Sequence, residues 1–526
     1  MKRLAVILCC AATAALPLRS ARATGFTDIG QDLVPRDKPE VTLHGYFRVR
    51  ADGLDNFDLD RGLTPSGDPL FPVSRSDPRA QWLTYGDMRL RTDIAIYAPG
   101  ATVAVKARID TLDNFPLGGS ADGIPSASTT QRASSDAMRV KRAYGEVLTP
   151  IGVIAAGRTG SHWGLGILTN SGDCLDCDSG DAADRIALLS PLLGHILAVA
   201  YDFSATGPFE PRPTSNRVIA VEPSTNVRSV TVALLRWRDD VARERRKKAD
   251  KTTVEYGAYG AVRSQKDDLP TTYLPTTQPF PITSSQIMMR GYQAYAIDGW
   301  LRLTFPFLRV EAEAAYLAAS VDQPSLVPGV LLHDKATSSQ IGAAVETEAA
   351  PKDNSFGGGL DFGYASGDPA PGFGVNPQPG ARPPQPGDKD GAQASPPFDT
   401  RVDNFRFHPD YRIDRILFRE IIGAVTDATY VRPHARVRLA KIGAQGDLTA
   451  AVAGIASWAV YAASTPGQRR PLGIEVDPTL SYMHRDGFAV ALEHGVLFPL
   501  AGLDNPVQHL DAKPAQLVRL RLAFVF

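Results

Sequence analysis

The sequence predicts an all-β protein: a transmembrane antiparallel β-barrel of about 18 strands, with short periplasmic turns and long extracellular loops. Three observations predict this fold. The chain begins with an export signal, its last segment alternates apolar and charged residues, and similar segments recur throughout, joined by connections of unequal length. Alternating segments of about 10 residues are typical of outer-membrane barrels, although each one alone is a weak signal.

Residues 1–23 have the composition of a secretory signal peptide. Lys2 and Arg3 precede an apolar stretch, and Ala21-Arg22-Ala23 matches a small-residue cleavage site. The apolar stretch is shorter than the roughly 20 residues that a membrane-spanning helix needs. We therefore expect residues 1–23 to be removed, residues 24–39 to form a periplasmic N-terminal segment, and residues 40–526 to form the barrel.

The last segment is the clearest strand. From Leu517 to Phe526, apolar residues alternate with Arg519, Arg521 and Ala523. Because successive side chains of a strand face opposite sides, one face is wholly apolar and the other carries charge. The terminal Phe526 resembles the signal that the barrel-assembly machinery of outer membranes reads. An edge strand of a soluble sandwich is the alternative.

The first candidate strand, residues 41–52, alternates in the same way. Closure of a barrel would place it beside the last strand. Residues 186–201 are nearly all apolar, but Pro191 and Gly194 interrupt them, and proline inside a helix costs about 3 kcal/mol. Two strands around a turn at residues 190–194 are therefore expected there, and no transmembrane helix.

Connections between the candidate strands alternate in length. Short ones rich in Pro, Gly or Asp-Gly occur at residues 98–100, 149–152, 190–194, 306, 351–354, 443–446 and 485–487. Long ones occur at residues 53–80, 114–136, 161–183, 205–226, 264–290, 320–337, 368–428 and 499–514. This alternation predicts about 18 strands, or about 16 if one weak pair is lost.

Two segments fit the pattern poorly. Residues 238–251 are very basic, and we interpret them as a longer, solvated periplasmic turn. Residues 411–425 carry apolar side chains at helical spacing. They are expected to form a helix folded into the pore or packed on its rim, or else an extra strand.

Composition excludes some function classes. The chain has 56 Lys and Arg against 57 Asp and Glu, so nothing suggests a nucleic-acid partner. The candidate strands carry His44, His195, His434 and His494, but no serine lies in a G-x-S-x-G context. The sequence therefore predicts no enzyme, and a barrel hydrolase is the least favoured alternative.

Cys174 and Cys177 are the only cysteines that remain after signal cleavage. Exported proteins meet oxidising conditions, so we expect these two to form a disulfide. The surrounding acidic loop, from Asp173 to Asp181, offers several carboxylates to Ca²⁺. A solvated acidic loop without a metal is the favoured alternative, and zinc is less favoured than calcium.

Charged residues on the predicted strands should point into the lumen. One wall would be basic, formed by Arg48, Arg50, Arg89, Arg91, Lys106, Arg108, Arg519 and Arg521. The opposite wall would be acidic, formed by Glu311, Glu313, Glu346, Glu348, Asp361, Glu475, Asp477 and Glu493. Rows of charge set the ion preference of a pore. Since any polar lumen needs charges, a solvated surface without further role is the alternative.

Several motifs resemble a family of uncharacterised, predicted outer-membrane β-barrel proteins. They lie at residues 44–52, 109–114, 140–147, 162–166, 404–412 and 495–500, and together span nearly the whole mature chain. The resemblance implies a fold but no activity. More loosely, residues 142–158 are similar to a strand-turn-strand of bacterial porins, which implies that loop 161–183 folds inward. A similarity to alginate-export barrels implies anionic or uronate-like solutes.

These observations lead to one functional hypothesis and two alternatives. The hypothesis is a porin-like channel in the cell outer membrane, in contact with lipid and lipopolysaccharide, for passive diffusion of small hydrophilic solutes, anions among them. The first alternative is a surface binding or adhesive barrel protein that acts through its loops. The second is the barrel hydrolase.

Overall fold

The computed structural model describes residues 25–74, 81–100, 102–117, 137–204, 224, 226–268, 288–325, 330–376, 383–443 and 445–526. Within these ranges, 18 strands form one closed antiparallel sheet in which each strand pairs with its neighbours in sequence. The predicted all-β barrel and the count of 18 are confirmed. The predicted signal peptide, residues 1–23, lies outside the described residues.

The strands have the following bounds. They are β1 (Glu40–Asp55), β2 (Trp82–Tyr97), β3 (Val103–Pro116), β4 (Met138–Thr149), β5 (Gly152–Gly160), β6 (Ala182–Leu192), β7 (His195–Ser204), β8 (Val227–Arg236), β9 (Thr253–Asp268), β10 (Met288–Thr304), β11 (Leu308–Val321), β12 (Ala336–Ala349), β13 (Phe356–Ala365), β14 (Ala428–Ile442), β15 (Gly446–Ala459), β16 (Pro471–His484), β17 (Phe488–Pro499) and β18 (Ala515–Val525).

The barrel closes between β1 and β18, as expected. Their register runs from Tyr46 opposite Val525 to Asp55 opposite Gln516. Beyond it, Gly45 and Phe526 exchange two main-chain hydrogen bonds of 2.9 and 3.0 Å. Closure pairs the backbone groups of both terminal strands, which a barrel inside lipid requires.

Alternation along the strands separates an apolar outside from a charged inside. On β18, Val518 and Leu520 are about 40% exposed on the outer face, whereas Arg519 between them is 1% exposed. The same phase on β1 turns Arg48 and Arg50 inward. The barrel therefore has the outer apolar band that a lipid bilayer demands.

The connections at one end of the barrel are short, and those at the other end are long. The tightest joins β6 to β7, where Leu193 and Gly194 have φ of 50° and 79°. Two positive φ values suit the twist of a two-residue hairpin, so the predicted hairpin is confirmed. The long connection at residues 460–470, between β15 and β16, was not predicted, although Thr465-Pro466-Gly467 marks it as a loop.

Residues 238–251 are more ordered than the predicted turn. They contain the helix α1 (Asp240–Lys248), whose N-cap Asp239 accepts a hydrogen bond from the Ala242 N–H. Its last turn is basic, which complements the helix dipole. In the described part of the chain, no helix combines the length and the apolar character needed to cross a membrane.

Residues 411–425 contain a π-helix, Leu417–Ile422, with Leu417, Phe418, Ile421 and Ile422 buried. It lies in an apolar cluster with inward residues of several strands, such as Leu472 and Leu517. The expectation of a helix folded into the pore is the one that the structure supports. The alternative of an extra barrel strand is wrong, because these apolar side chains pack inside the barrel.

Candidate functional site

Two segments between strands fold into the lumen and meet there. The first, residues 161–181, is called the inward loop; the second, residues 404–427, is called the lumen insert. The backbone N–H groups of Asp178 and Ser179 donate to the Asp410 carboxylate at 2.8 and 2.9 Å. The His408 N–H donates to the Ile167 carbonyl at 2.8 Å. The expectation that the loop after β5 folds inward is therefore confirmed.

Arginines of β1 and β2 hold the inward loop against the barrel wall. Arg48 donates to the carbonyl oxygens of Leu175 and Cys177 at 3.2 and 3.0 Å. Arg50 pairs with the Asp178 carboxylate at 2.7 Å and with that of Asp176 at 3.2 Å. Arg48 and Arg50 are buried under the loop. These inward arginines therefore bind the inward loop to the barrel wall.

Carboxylates on β2 and β3 form ion pairs with inward arginines of β1 and β2. Asp87 on β2 accepts from Arg48 at 2.9 Å and from Arg50 at 2.6 Å. The Asp110 carboxylate on β3 accepts two hydrogen bonds from the Arg91 guanidinium, each 2.7 Å long. Bidentate guanidinium–carboxylate contacts are strong and fix geometry as well as charge. The predicted basic wall is thus a row of ion pairs.

The remaining predicted cations are also paired. Arg519 on β18 binds Asp52 of β1 at 2.7 Å. The other pairs are Lys106 with Glu146, Arg108 with Asp93, and Arg521 with Glu493. Asp52, Asp87 and Glu146 were absent from the predicted site, although each sits at an inward position of its strand. Strand alternation alone could have found them.

The lumen insert supplies further arginines to the acidic tip of the inward loop. Arg419 reaches Asp176 at 2.6 Å, and Arg412 reaches Asp178 at 2.5 Å. Burial by itself would raise the pKa of Asp176, but Arg419 and Arg412 outweigh it and hold that pKa well below the usual range. Burial lowers the pKa of Arg419 to about 10. The two loops are therefore joined by ionised pairs at neutral pH.

Acidic residues of the opposite wall bind backbone N–H groups of the lumen insert. The Glu475 carboxylate on β16 accepts from Arg415, Ile416 and Leu417 at 2.8, 2.8 and 3.0 Å. Asp414, within the insert, accepts from the N–H groups of Phe418 and Arg419. Burial and the neighbouring Glu475 raise the pKa of Asp414. Glu475 is therefore an anchor for the start of the π-helix.

Glu313 on β11 anchors the inward loop in the same way, by accepting hydrogen bonds from its backbone N–H groups. Its Oε2 accepts from the Gly166 N–H at 2.9 Å and from the Ile167 N–H at 3.4 Å. Asp298 on β10 accepts from the Trp163 indole at 3.1 Å. Gly164, with φ of 55°, lies so close that a Cβ there would be 2.6 Å from Glu313 Oε2. Glu313, which was predicted to line the pore, and Asp298, which was not, thus position the inward loop.

The other predicted acids have arginine partners of their own. These contacts join Glu311 and Glu346 to Arg309, Glu348 to Arg436, Asp361 to Arg432, and Glu493 to Arg415. Asp477 is the next inward residue after Glu475 and is 5% exposed. The two sides of the lumen are consequently mixed in charge.

Cys174 and Cys177 form a disulfide at the tip of the inward loop. Nearby, Asp173 pairs with Arg108 and with Arg142. Among the described residues, no cluster of three or more His, Cys, Asp or Glu could hold a metal ion. Calcium at this loop stays a prediction, and it would compete with the arginines for the same carboxylates.

Part of the N-terminal segment enters the lumen, which the sequence did not predict, while the periplasmic position of residues 24–39 stays a prediction. Residues 25–31, called the N-terminal turn, fold into the lumen, where Phe26 and Ile29 are 5% and 6% exposed. They pack in an apolar cluster with Trp163 of the inward loop and Trp300 of β10. The signal that sequence reasoning missed is the run of inward alanines on β5–β8, which a solvated lumen would not need.

Three of the four strand histidines contact groups other than a serine or threonine hydroxyl. His195 contacts the Tyr256 hydroxyl at 2.8 Å, His434 contacts the Thr347 carbonyl at 3.2 Å, and His494 contacts the Gln516 side chain at 3.4 Å. A hydrolase would need such a ring to activate a serine or threonine hydroxyl. These contacts give no support to the hydrolase alternative.

No family model matches the chain, and no curated protein matches it either. Among solved structures it is similar to the outer-membrane protein OpdK of Pseudomonas aeruginosa, with 10% identity, 93% of this chain and 98% of that chain covered, and a TM-score of 0.43. It is also similar to the anion-selective porin of Comamonas acidovorans, with 9% identity, coverage of 93% and 100%, and a TM-score of 0.40. A third is the outer-membrane channel DcaP of Acinetobacter baumannii, with 11% identity, coverage of 93% and 98%, and a TM-score of 0.36. Similarity at this level carries no conclusion about what this chain transports.

Proposed function

We propose that the protein is a porin-like channel of the bacterial outer membrane through which small hydrophilic solutes diffuse passively, anions among them. The observation that supports this most is the inward loop seated on Arg48, Arg50 and Arg89 inside a closed barrel with an apolar outer face. Charged side chains at a narrowing set the ion preference of a pore.

Anionic solutes suit this narrowing because its guanidinium groups already bind carboxylates. Asp176 and Asp178 are held by Arg50 from the wall and by Arg412 from the lumen insert. A solute carboxylate offers the same acceptor geometry. The solute carboxylate would replace the loop carboxylates at one arginine after another. It would therefore pass the narrowing without ever losing all its hydrogen bonds to arginine.

In this proposal the short connections lie in the periplasm and the long ones outside the cell. The outer face contacts lipid and, at the long-loop end, lipopolysaccharide. Phe526, which directly follows β18 and is 50% exposed, would be read by the assembly machinery. A Phe526→Ala variant is expected to reach the membrane in lower amount while keeping the fold of the molecules that do assemble.

Planar-bilayer recording of the purified protein tests the channel. We expect stepwise conductance, with a reversal potential in a salt gradient that reports anion preference. A barrel that is folded by its heat-modifiable migration but gives no conductance steps would overturn the proposal.

A further inference from the structure

One sector of the lumen differs from the rest because its wall is apolar. Apolar side chains, five alanines and two leucines, face inward from four consecutive strands, β5 to β8: Ala155, Ala187, Leu189, Ala198, Ala200, Ala233 and Leu235. Trp163, Trp237 and Trp300 border this sector. Exposing such an apolar surface to water is unfavourable. We call it the apolar groove.

The N-terminal turn occupies the apolar groove. Phe26 lies among the tryptophans with the Arg185 guanidinium 5.2 Å from its ring centre, and Ile29 is buried beside it. Gly25 and Gly30 have φ of 99° and 80°, and a Cβ on either would approach His162 or Val153 to within 2.8 Å. The turn is thus fitted closely to the wall and to the inward loop.

The N-terminal turn carries the carboxylate of Asp28 as well as the ring of Phe26. Asp28, two residues after Phe26, lies 3.6 Å from the Arg142 guanidinium of β4. Lys106 and Arg108 of the adjacent β3 also face this end of the groove, and Lys106 approaches Asp32 at 3.8 Å. The groove therefore has an apolar end lined by tryptophan and a cationic end lined by strands β3 and β4.

We propose that the apolar groove is a binding site for small amphipathic carboxylates, occupied in this structure by Phe26 and Asp28 as an internal ligand that such a solute displaces. The proposal rests on the proposed function, since the solute must enter the lumen. Alanine and leucine side chains offer no hydrogen bonds to the hydroxyl groups of a sugar, so an apolar ring fits better than a carbohydrate.

The carboxylate end of the turn is its weaker anchor. Asp28 faces Asp173 of the inward loop as well as Arg142. Burial and Asp173 raise the pKa of Asp28 to about 7. Its ion pair with Arg142 is consequently incomplete at neutral pH, so this end of the turn is held less strongly than a fully ionised pair would hold it.

Cysteine accessibility in the folded mature protein in detergent, without residues 1–23 and their Cys9 and Cys10, tests the displacement. In an Ile29→Cys variant, phenylacetate is expected to accelerate maleimide labelling about fivefold, while acetate and phenethylamine leave the rate unchanged. The matched control is Asp32→Cys, because Asp32 is 64% exposed and its labelling should not respond. The disulfide-bonded Cys174 and Cys177 do not react.

A second measurement follows binding itself. Phenylacetate should change the fluorescence of Trp163, Trp237 and Trp300, and Phe26→Ala should lower its apparent Kd about tenfold, because the competing occupant is weakened. Equal acceleration by phenethylamine, no acceleration by phenylacetate, or an unchanged Kd in Phe26→Ala would each overturn the site. A barrel without conductance but with these effects would reject the channel and keep the site, so the two failures are distinguishable.

Discussion

Arg89 of β2 holds the backbone of Cys177. Its Nη1 donates to the Cys177 carbonyl at 2.7 Å, and its Nη2 donates to the next carbonyl, that of Asp178, also at 2.7 Å. Because Arg89 is fully buried in the barrel wall, the wall fixes the position of the inward loop at the residue that closes its disulfide.

Replacing Arg48 and Arg89 by serine should free the tip of the inward loop. Four hydrogen bonds from guanidinium to loop carbonyls are lost, and Asp87 loses one cationic partner. Hydrogen bonds to charged groups contribute about 1.5–3 kcal/mol each. We expect single-channel conductance to rise about twofold and the reversal potential to shift toward cations.

The matched control for this experiment is Arg158→Ser. Arg158 pairs with Asp184 at 2.7 Å on β5 and β6, the strands that flank the inward loop, but both side chains are about half exposed on the outer face of the barrel and do not face the lumen. Its conductance and reversal potential should equal those of the unmodified protein. A double variant that behaves like this control would refute the constriction role of the arginines.

Glu475→Ala should loosen the lumen insert while leaving the barrel closed. Three backbone N–H groups lose their acceptor at the start of the π-helix. If the lumen insert loses at least about 1.4 kcal/mol of local stability, the fraction of molecules in which it is detached from the wall rises at least about tenfold. Trypsin should therefore cut at Arg415 and Arg419 at least about tenfold faster. Asp447→Ala, at an exposed position of β15, is the control, and equal cleavage rates in the two variants would contradict the anchor.

Replacing both Cys174 and Cys177 by serine should affect the pore more than the fold. The disulfide closes a very short ring, so the chain-entropy estimate of its contribution is only about 2 kcal/mol. The ion pairs from Arg50, Arg412 and Arg419 remain. We expect greater open-channel current noise with little change in thermal unfolding. Unchanged noise would show that the arginines alone hold the tip rigid.

The N-terminal turn should loosen as pH rises. The pKa of Asp28 is raised in the folded protein, from 3.8 to about 7, so docking is strongest with the neutral acid and weakens as pH passes from 3.8 to about 7. The facing charged groups are Asp173 of the inward loop, Lys106 and Arg108 of β3, and Arg142 of β4. Labelling of Ile29→Cys, divided by that of Asp32→Cys to cancel thiol ionisation, should therefore increase between pH 5 and about 7 and level off at higher pH.

The control for this pH effect is the same pair of variants carrying Asp28→Asn, in which the ratio should be flat. A ratio that still increases in the asparagine background would assign the change to another group, such as Glu146, which accepts the Gly30 N–H at 3.0 Å.

Much of the fold follows from local alternation. The phase of Arg48 and Arg50 on β1, the pairing of β1 with β18 and the hairpin at Leu193–Gly194 were all predictable, because side-chain period and turn chemistry are local properties. The helix α1 was missed because Asp239 was not considered as an N-cap, although a capping residue is a local signal too.

The sequence by itself determined that this chain forms a closed barrel with charged residues inside, since alternation decides which face each side chain takes. Only the tertiary structure decided what those charges do. Arg89 meets Cys177 across 88 residues of chain, and Glu475 meets Leu417 across 58. Such contacts, like the packing of Phe26 among the tryptophans, depend on how deeply each loop enters the lumen. That depth is set by the sum of distant ion pairs and packing, which no local pattern encodes.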